Sequence, residues 1–151
     1  MKTKLFFPLL ALGFVLAMAI YFILNPSYQK SLEAKFYYET GNYKEAYRLA
    51  NEAFSMDIYN RMASTIMTQS QTSMKYEDYI KEAKEYLAKI NEIVSKDSVS
   101  ESDRAKIRMM SQIMVESYKK LAPSVVTDEK LVKEAREYYK NFEQLLEKVS
   151  R

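Results

Sequence analysis

Apolar positions along the chain fall into two patterns. From Leu5 to Leu24 they are continuous, and LFFPLLALGFVLAMAIYFIL holds no charged residue. A run of about 20 apolar residues spans the hydrocarbon core of a bilayer at helical rise, so it predicts a transmembrane helix. Beyond Asn25 the apolar residues instead recur at intervals of three and four, the spacing that stacks one face of an α-helix. One set is Tyr43, Ala46, Tyr47, Ala50, Ala53 and Phe54. Others run from Tyr76 to Val94, from Ile107 to Leu121 and from Leu131 to Val149. No segment shows a convincing period of two, the signature of a half-buried strand.

Punctuation divides this helical stretch. Asn25-Pro26 reads as an N-cap followed by proline at the first helical position. Gly41-Asn42 separates two helices. The loop Ser95-Lys96-Asp97-Ser98-Val99-Ser100 is followed by Ser100, Ser102 or Asp103 as a cap. Ala122-Pro123-Ser124 ends a helix, and Thr127, Asp128 and Glu129 open the last, with acids at the positive end of its dipole. The pattern predicts helices over 27–40, 43–56, 59–74, 76–95, 102–121 and 128–149. Short connections make neighbours antiparallel. The expected fold is therefore all-α: one transmembrane helix, then about six antiparallel helices in three hairpins, as a right-handed helical repeat or a small bundle. The domains expected are a cytoplasmic tail (1–4), a signal anchor (5–24) and a helical domain (27–151).

Lys2 and Lys4 precede the apolar run, and positive charge on a short leading tail keeps that side in the cytoplasm. Tyr21 suits the far interface, and Pro8 lies in the first turn, where its missing N–H costs little. The expectation is a single-pass protein of a bacterial inner membrane, with its C-terminal domain periplasmic or otherwise extracytoplasmic. The alternative is a secreted chain cut after Ala17-Met18-Ala19, which has the small-x-small form of a cleavage site. That cut leaves Ile20-Tyr21-Phe22-Ile23-Leu24 as an apolar terminus.

Composition narrows the chemistry. Cysteine and histidine are both absent. This excludes disulfides, thiol nucleophiles, Cys/His metal sites and His-based triads. Gly41 is the one glycine outside the apolar run, too few for a phosphate-cradling loop. Without Lys2 and Lys4 the charge balance is 21 basic against 20 acidic residues. That gives no footprint for nucleic acid. Ser27-x-x-Lys30 and Ser117-x-x-Lys120 have the spacing of Ser/Lys enzymes, but the companion motifs are missing. No enzyme, cofactor or metal is expected.

The segment AKFYYETGNYKEA, Ala34 to Ala46, resembles the turn region of a tetratricopeptide repeat. With Ser27 as the first repeat position, the family's small residue falls on Ala34 and its aromatic on Tyr37. The two alanines of the second helix fall on Ala46 and Ala53. The resemblance covers Ser27 to Asn60, and the later hairpins do not match in register. The early Trp-type position is Lys30, the following Leu-type position is Glu33, the large aromatic of the second helix is Ala50, and the closing proline is Ile58.

The resemblance implies a scaffold whose first helices line a groove for a protein partner. Its groove positions on the first helix are Tyr28, Ser31, Lys35, Tyr38 and Glu39. The stretch MASTIMTQSQTSM, Met62 to Met74, carries no charge. It either lines the same groove, with Thr65, Gln69 and Thr72 offering hydrogen bonds, or is a central helix packed on nearly all sides. All tyrosines but Tyr21 lie after the anchor. They suit interfaces, and they also fill small helical cores. On the last helix Val132, Tyr139 and Leu146 widen the apolar stripe, either as a secondary docking edge or to pack in a valley between helices. Only Asn25-Pro26 separates the anchor from the first helix, too little chain to act as a flexible tether. The partner expected is a membrane-bound or membrane-proximal protein. The other class of function is a structural subunit built permanently into a larger envelope complex, such as a secretion or motility machine.

Overall fold

The computed structural model describes residues 3–96, 98–123 and 127–150, with side-chain surroundings from Phe6 onward. Lys2, Asp97 and Ser124, and the side chain of Lys4, lie outside the described residues. The described residues form six helices and no strand: α1 (Thr3–Leu24), α2 (Pro26–Glu39), α3 (Tyr43–Met56), α4 (Arg61–Val94), α5 (Glu101–Lys119) and α6 (Glu129–Ser150). The helix α1 is long and apolar enough to cross a membrane over Phe6–Leu24, and its side chains there are all exposed. It fits a membrane anchor or a signal sequence.

The helix ends follow the capping chemistry in the sequence. Asn25 caps α2, its Oδ1 accepting from the Ser27 N–H at 3.0 Å, with Pro26 in the first turn. Gly41 has φ +82°, a left-handed conformation that costs a side-chain-bearing residue about 1–2 kcal/mol. It reverses the chain so that Asn42 can cap α3. Ser100 and Asp103 form a capping box on α5: the Asp103 N–H donates to Ser100 Oγ at 3.1 Å, and the Ser100 N–H donates back to the Asp103 carboxylate at 3.4 Å. Asp128 Oδ1 accepts from the Lys130 N–H at the start of α6.

One boundary differs. The helices expected over 59–74 and 76–95 are the single helix α4, so among the described residues five helices follow α1 and the three-hairpin arrangement is replaced by two hairpins, α2–α3 and α5–α6, with α4 between them in chain order. The uncharged stretch gives way to a charged one near Lys75, but Met74-Lys75-Tyr76 holds no glycine, proline or capping residue. The buried positions Ala63, Ile66, Ser70, Ser73, Tyr76, Ile80, Ala83 and Ile90 keep the three-and-four spacing across that point. A change of composition without a break in period leaves the backbone ladder intact.

The chain divides into two compact units, Met1–Ser70 and Gln71–Arg151, with α4 contributing to each. In the first, Ala34, Ala46, Leu49, Ala50 and Ile66 form a core, with Tyr37, Tyr38, Met62 and Met67 packed against it. Small residues let the α2 and α3 backbones approach closely. In the second, Tyr76, Tyr79, Ile80, Ala83 and Ile90 of α4 pack with Ile107, Met110, Met114 and Val115 of α5 and Ala135 and Phe142 of α6.

A buried polar clasp closes the first unit. Asn60 is fully buried and caps α4 by accepting from the Ala63 N–H at 3.1 Å. Its Nδ2 donates to Ser27 Oγ and Ser31 Oγ, each at 2.8 Å. The Ser27 hydroxyl donates in turn to the Ala53 carbonyl at 2.8 Å, and the Ser31 hydroxyl to the Ser27 carbonyl at 2.9 Å. The starts of α2 and α4 are thereby tied to the end of α3, with every hydroxyl in the group paired.

Candidate functional site: the exposed face of α2

The junction between α1 and α2 is short and hydrogen-bonded. The Asn25 N–H donates to the Tyr21 carbonyl at 3.0 Å, continuing the α1 ladder by one step. The Ser27 N–H turns to the Asn25 side chain instead of the backbone, and the Gln29 side chain donates to the Ile23 carbonyl at 2.7 Å. The Ile23 carbonyl and the Ser27 N–H, both at the point where Pro26 interrupts the backbone ladder, thus find side-chain partners. Phe22 of α1 and Tyr28 of α2 meet edge to face with centroids 4.7 Å apart. This contact and the bonds around it make the link stiff.

The α2 residues singled out from the sequence share one stripe. At 100° per residue, Tyr28, Ser31, Lys35, Tyr38 and Glu39 span about 100° of the helix. Ser31 is fully buried and its hydroxyl belongs to the clasp, so it is not presented at the surface. Tyr28 and Tyr38 are half-buried, the latter edge-on to Tyr43 with centroids 5.4 Å apart. Lys35 and Glu39 are exposed and lie 3.6 Å apart as a surface pair, worth little to stability. On α4, Thr65 is exposed and Gln69 half-buried, while Thr72 falls in the second unit and is half-buried. Within Met62–Met74 only Thr65, Thr68 and Gln71 are exposed. The uncharged composition therefore follows from α4 being packed around most of its circumference there. The hydroxyls of Ser70 and Ser73 are buried with no hydrogen-bond partner among the described residues.

The edge expected on the last helix is largely absorbed. Val132, Tyr139 and Leu146 are half-buried against the second unit's core. The Tyr139 ring stacks on Tyr118 at 4.5 Å, and its hydroxyl donates to Glu143 at 2.8 Å.

Two residues not singled out from the sequence complete the α2 face. Leu32 and Phe36 are 58% and 61% exposed, one turn apart. They lie about 150° around the helix from the buried Ser27, Ser31 and Ala34 and border the side of the stripe that carries Tyr28 and Glu39. α2 packs through Ser27, Ser31 and Ala34 and leaves Leu32 and Phe36 outside, and only the neighbouring helix decides which of its faces is covered. A spacing search for large apolar residues on the inner face cannot find such a surface.

The electrostatics of the hairpin lie beside this face. Lys30 donates to Glu52 at 2.6 Å, and Arg48 pairs with both Glu52 and Glu45. The Lys30 hydrogen bond, then the Arg48 charge, hold the Glu52 carboxyl below its usual range. The Ser27 and Lys30 side chains thus point to separate partners, the Ala53 carbonyl and Glu52, rather than to each other. Among the described residues no group of three acids could hold a metal ion. No family model, curated protein or solved structure matches this chain.

Proposed function

We propose that the protein is a membrane-anchored, tetratricopeptide-like scaffold that holds a protein partner close to the bilayer, with the α2 face as its docking surface. The observation that carries this reading is the exposed pair Leu32 and Phe36 beside Tyr28, Lys35 and Glu39, on a helix joined to α1 through Asn25 alone. Aromatic side chains are enriched at the core of protein interfaces, and Lys35 and Glu39 beside them suit the polar rim that surrounds such a core. Stiff attachment to an anchor raises the effective concentration of a partner that is itself membrane-bound, and does nothing for a freely diffusing one. The family resemblance supports the reading through Ala34, Ala46 and Ala53, each fully buried at the positions where that family needs small residues. Lys30, at its Trp-type position, makes the ion pair with Glu52 instead. The N-terminus faces the cytoplasm and the helical units face outward, in a bacterial envelope.

The test is site-specific photo-crosslinking in intact cells, with the reactive residue at position 32 or 36 and mass spectrometry of the adducts. A discrete protein adduct at both positions, lost on Tyr28→Ala with Lys35→Ala, is the expected result. Crosslinks to lipid alone, or protein adducts indifferent to those substitutions, refute this face as the docking site.

A permanently assembled structural subunit is the second reading. It is favoured by exposed Met109 and Ile113, one turn apart on α5 of the second unit. A chain that aggregates in mild detergent unless a stoichiometric partner co-purifies supports it. A stable, monodisperse chain supports the scaffold.

A further inference from the structure

We propose that the α3–α4 turn, Met56 to Tyr59, is a second membrane contact, laying the side chains of Met56, Ile58 and Tyr59 into the bilayer interface beside the end of α1. The proposal rests on α1 being embedded in a membrane. The first observation is exposure. Met56, Ile58 and Tyr59 are 55%, 63% and 84% exposed, three large apolar side chains within four residues. Single exposed apolar residues need no explanation, but a cluster this dense on one turn does.

The second observation is position. Met56 and Asp57 line a recess of about 590 Å³ together with Tyr21, Asn25, Pro26 and Ser27. The Ser27 hydroxyl, donating to the Ala53 carbonyl, pins the last turn of α3 to the first turn of α2. The turn therefore stands level with the last turn of α1, where Tyr21 marks the zone favoured by aromatic rings at a membrane surface. Three exposed apolar side chains at that level fit a lipid interface, and Tyr59 adds a polar hydroxyl of the kind that settles among headgroups.

The third observation is that the tip is held in shape. The Asp57 N–H donates to the Ala53 carbonyl at 3.1 Å, the Tyr59 N–H to Asp57 Oδ1 at 2.9 Å, and the Asn60 N–H to the Asp57 carbonyl at 3.0 Å. The Asp57 carboxylate is thereby turned onto the backbone of its own turn. Asn60, fully buried, fixes the chain where α4 begins. The apolar side chains are presented by a backbone already ordered, so insertion has little conformational freedom left to remove. Arg61 follows at once, exposed, with a stem long enough to keep its charge among phosphates while the turn sits lower. With α1 as one point of attachment and this turn as another, the first unit is fixed in tilt as well as in height above the membrane.

The chain contains no tryptophan, so a single introduced one reports unambiguously. Full-length Tyr59→Trp, Ile58→Trp and Phe14→Trp chains are reconstituted in phosphatidylcholine vesicles, with and without bromine on the acyl chains. The expected result is strong bromine quenching at position 14 and clear, weaker quenching with blue-shifted emission at 58 and 59. Quenching at 14 with unquenched, water-like emission at both 58 and 59 overturns the proposal and leaves the anchor standing. No quenching at 14 means α1 is not embedded, and the proposal falls with that reading.

Discussion

Asn60→Ala removes three hydrogen bonds from the clasp and leaves the rest of the chain untouched. Losing the acceptor for the Ala63 N–H is the loss of a helix N-cap, which costs about 1 kcal/mol. Losing the two donations to Ser27 and Ser31 costs about 0.5–1.5 kcal/mol each. The lower part of that range applies, because both hydroxyls keep the bonds they donate, to the Ala53 and Ser27 carbonyls. The total is about 2–3 kcal/mol. In a chain of this size each kcal/mol lowers the melting temperature by about 2–4 °C. The assay is urea and thermal unfolding of the full chain in detergent micelles, followed by circular dichroism, with hydrogen exchange to localise the change. The Ala63 amide should lose protection. Ser27→Ala and Asn60→Ala should be non-additive by about 1 kcal/mol, since they share a bond. A loss below about 0.5 kcal/mol, the least that either the cap or one buried bond is worth, or strict additivity of the pair, refutes the clasp as a unit.

Two further perturbations test the second unit. Burial pushes the Tyr79 phenol's pKa up, and its hydroxyl has no hydrogen-bond partner among the described residues, so Tyr79→Phe should leave stability unchanged or raise it by about 1 kcal/mol in the same unfolding assay; a loss of that size means the hydroxyl is paired. The Asp103 carboxyl is held below its ordinary value of 3.8 by the Ser100 hydroxyl first, then the Ser100 N–H and the charges of Lys96 and Lys106. Its contribution is therefore complete above that value and is lost as pH falls through the lower native one. The stability difference between the native chain and Asp103→Asn, from urea midpoints, should be present at neutral pH and shrink below pH 3.8; a difference that does not change with pH contradicts the capping box as its source.

Local rules written into neighbouring residues determined much of this protein. Asn25-Pro26, Gly41-Asn42 and Ser100 with Asp103 act through bonds spanning two or three residues, so the helix starts they specify were readable directly. The apolar run of α1 needs no partner to be recognised, because its length and lack of charge suffice. The small residues Ala34, Ala46 and Ala53 were also legible, since close helix approach demands them wherever they fall.

Tertiary structure decided the rest. Whether Met74-Lys75-Tyr76 breaks a helix depended on which side chains are buried on either side, and the unbroken burial from Ser73 to Tyr76 and Ile80 kept α4 whole. Ser27, Ser31 and Asn60 are polar residues scattered through the sequence, and only the fold makes them one buried network. The α2 face inverts the usual order, with serine and alanine inside and Leu32 and Phe36 outside. Composition cannot reveal that, because an apolar residue carries the same weight on either side of a helix until a neighbouring helix covers one of them.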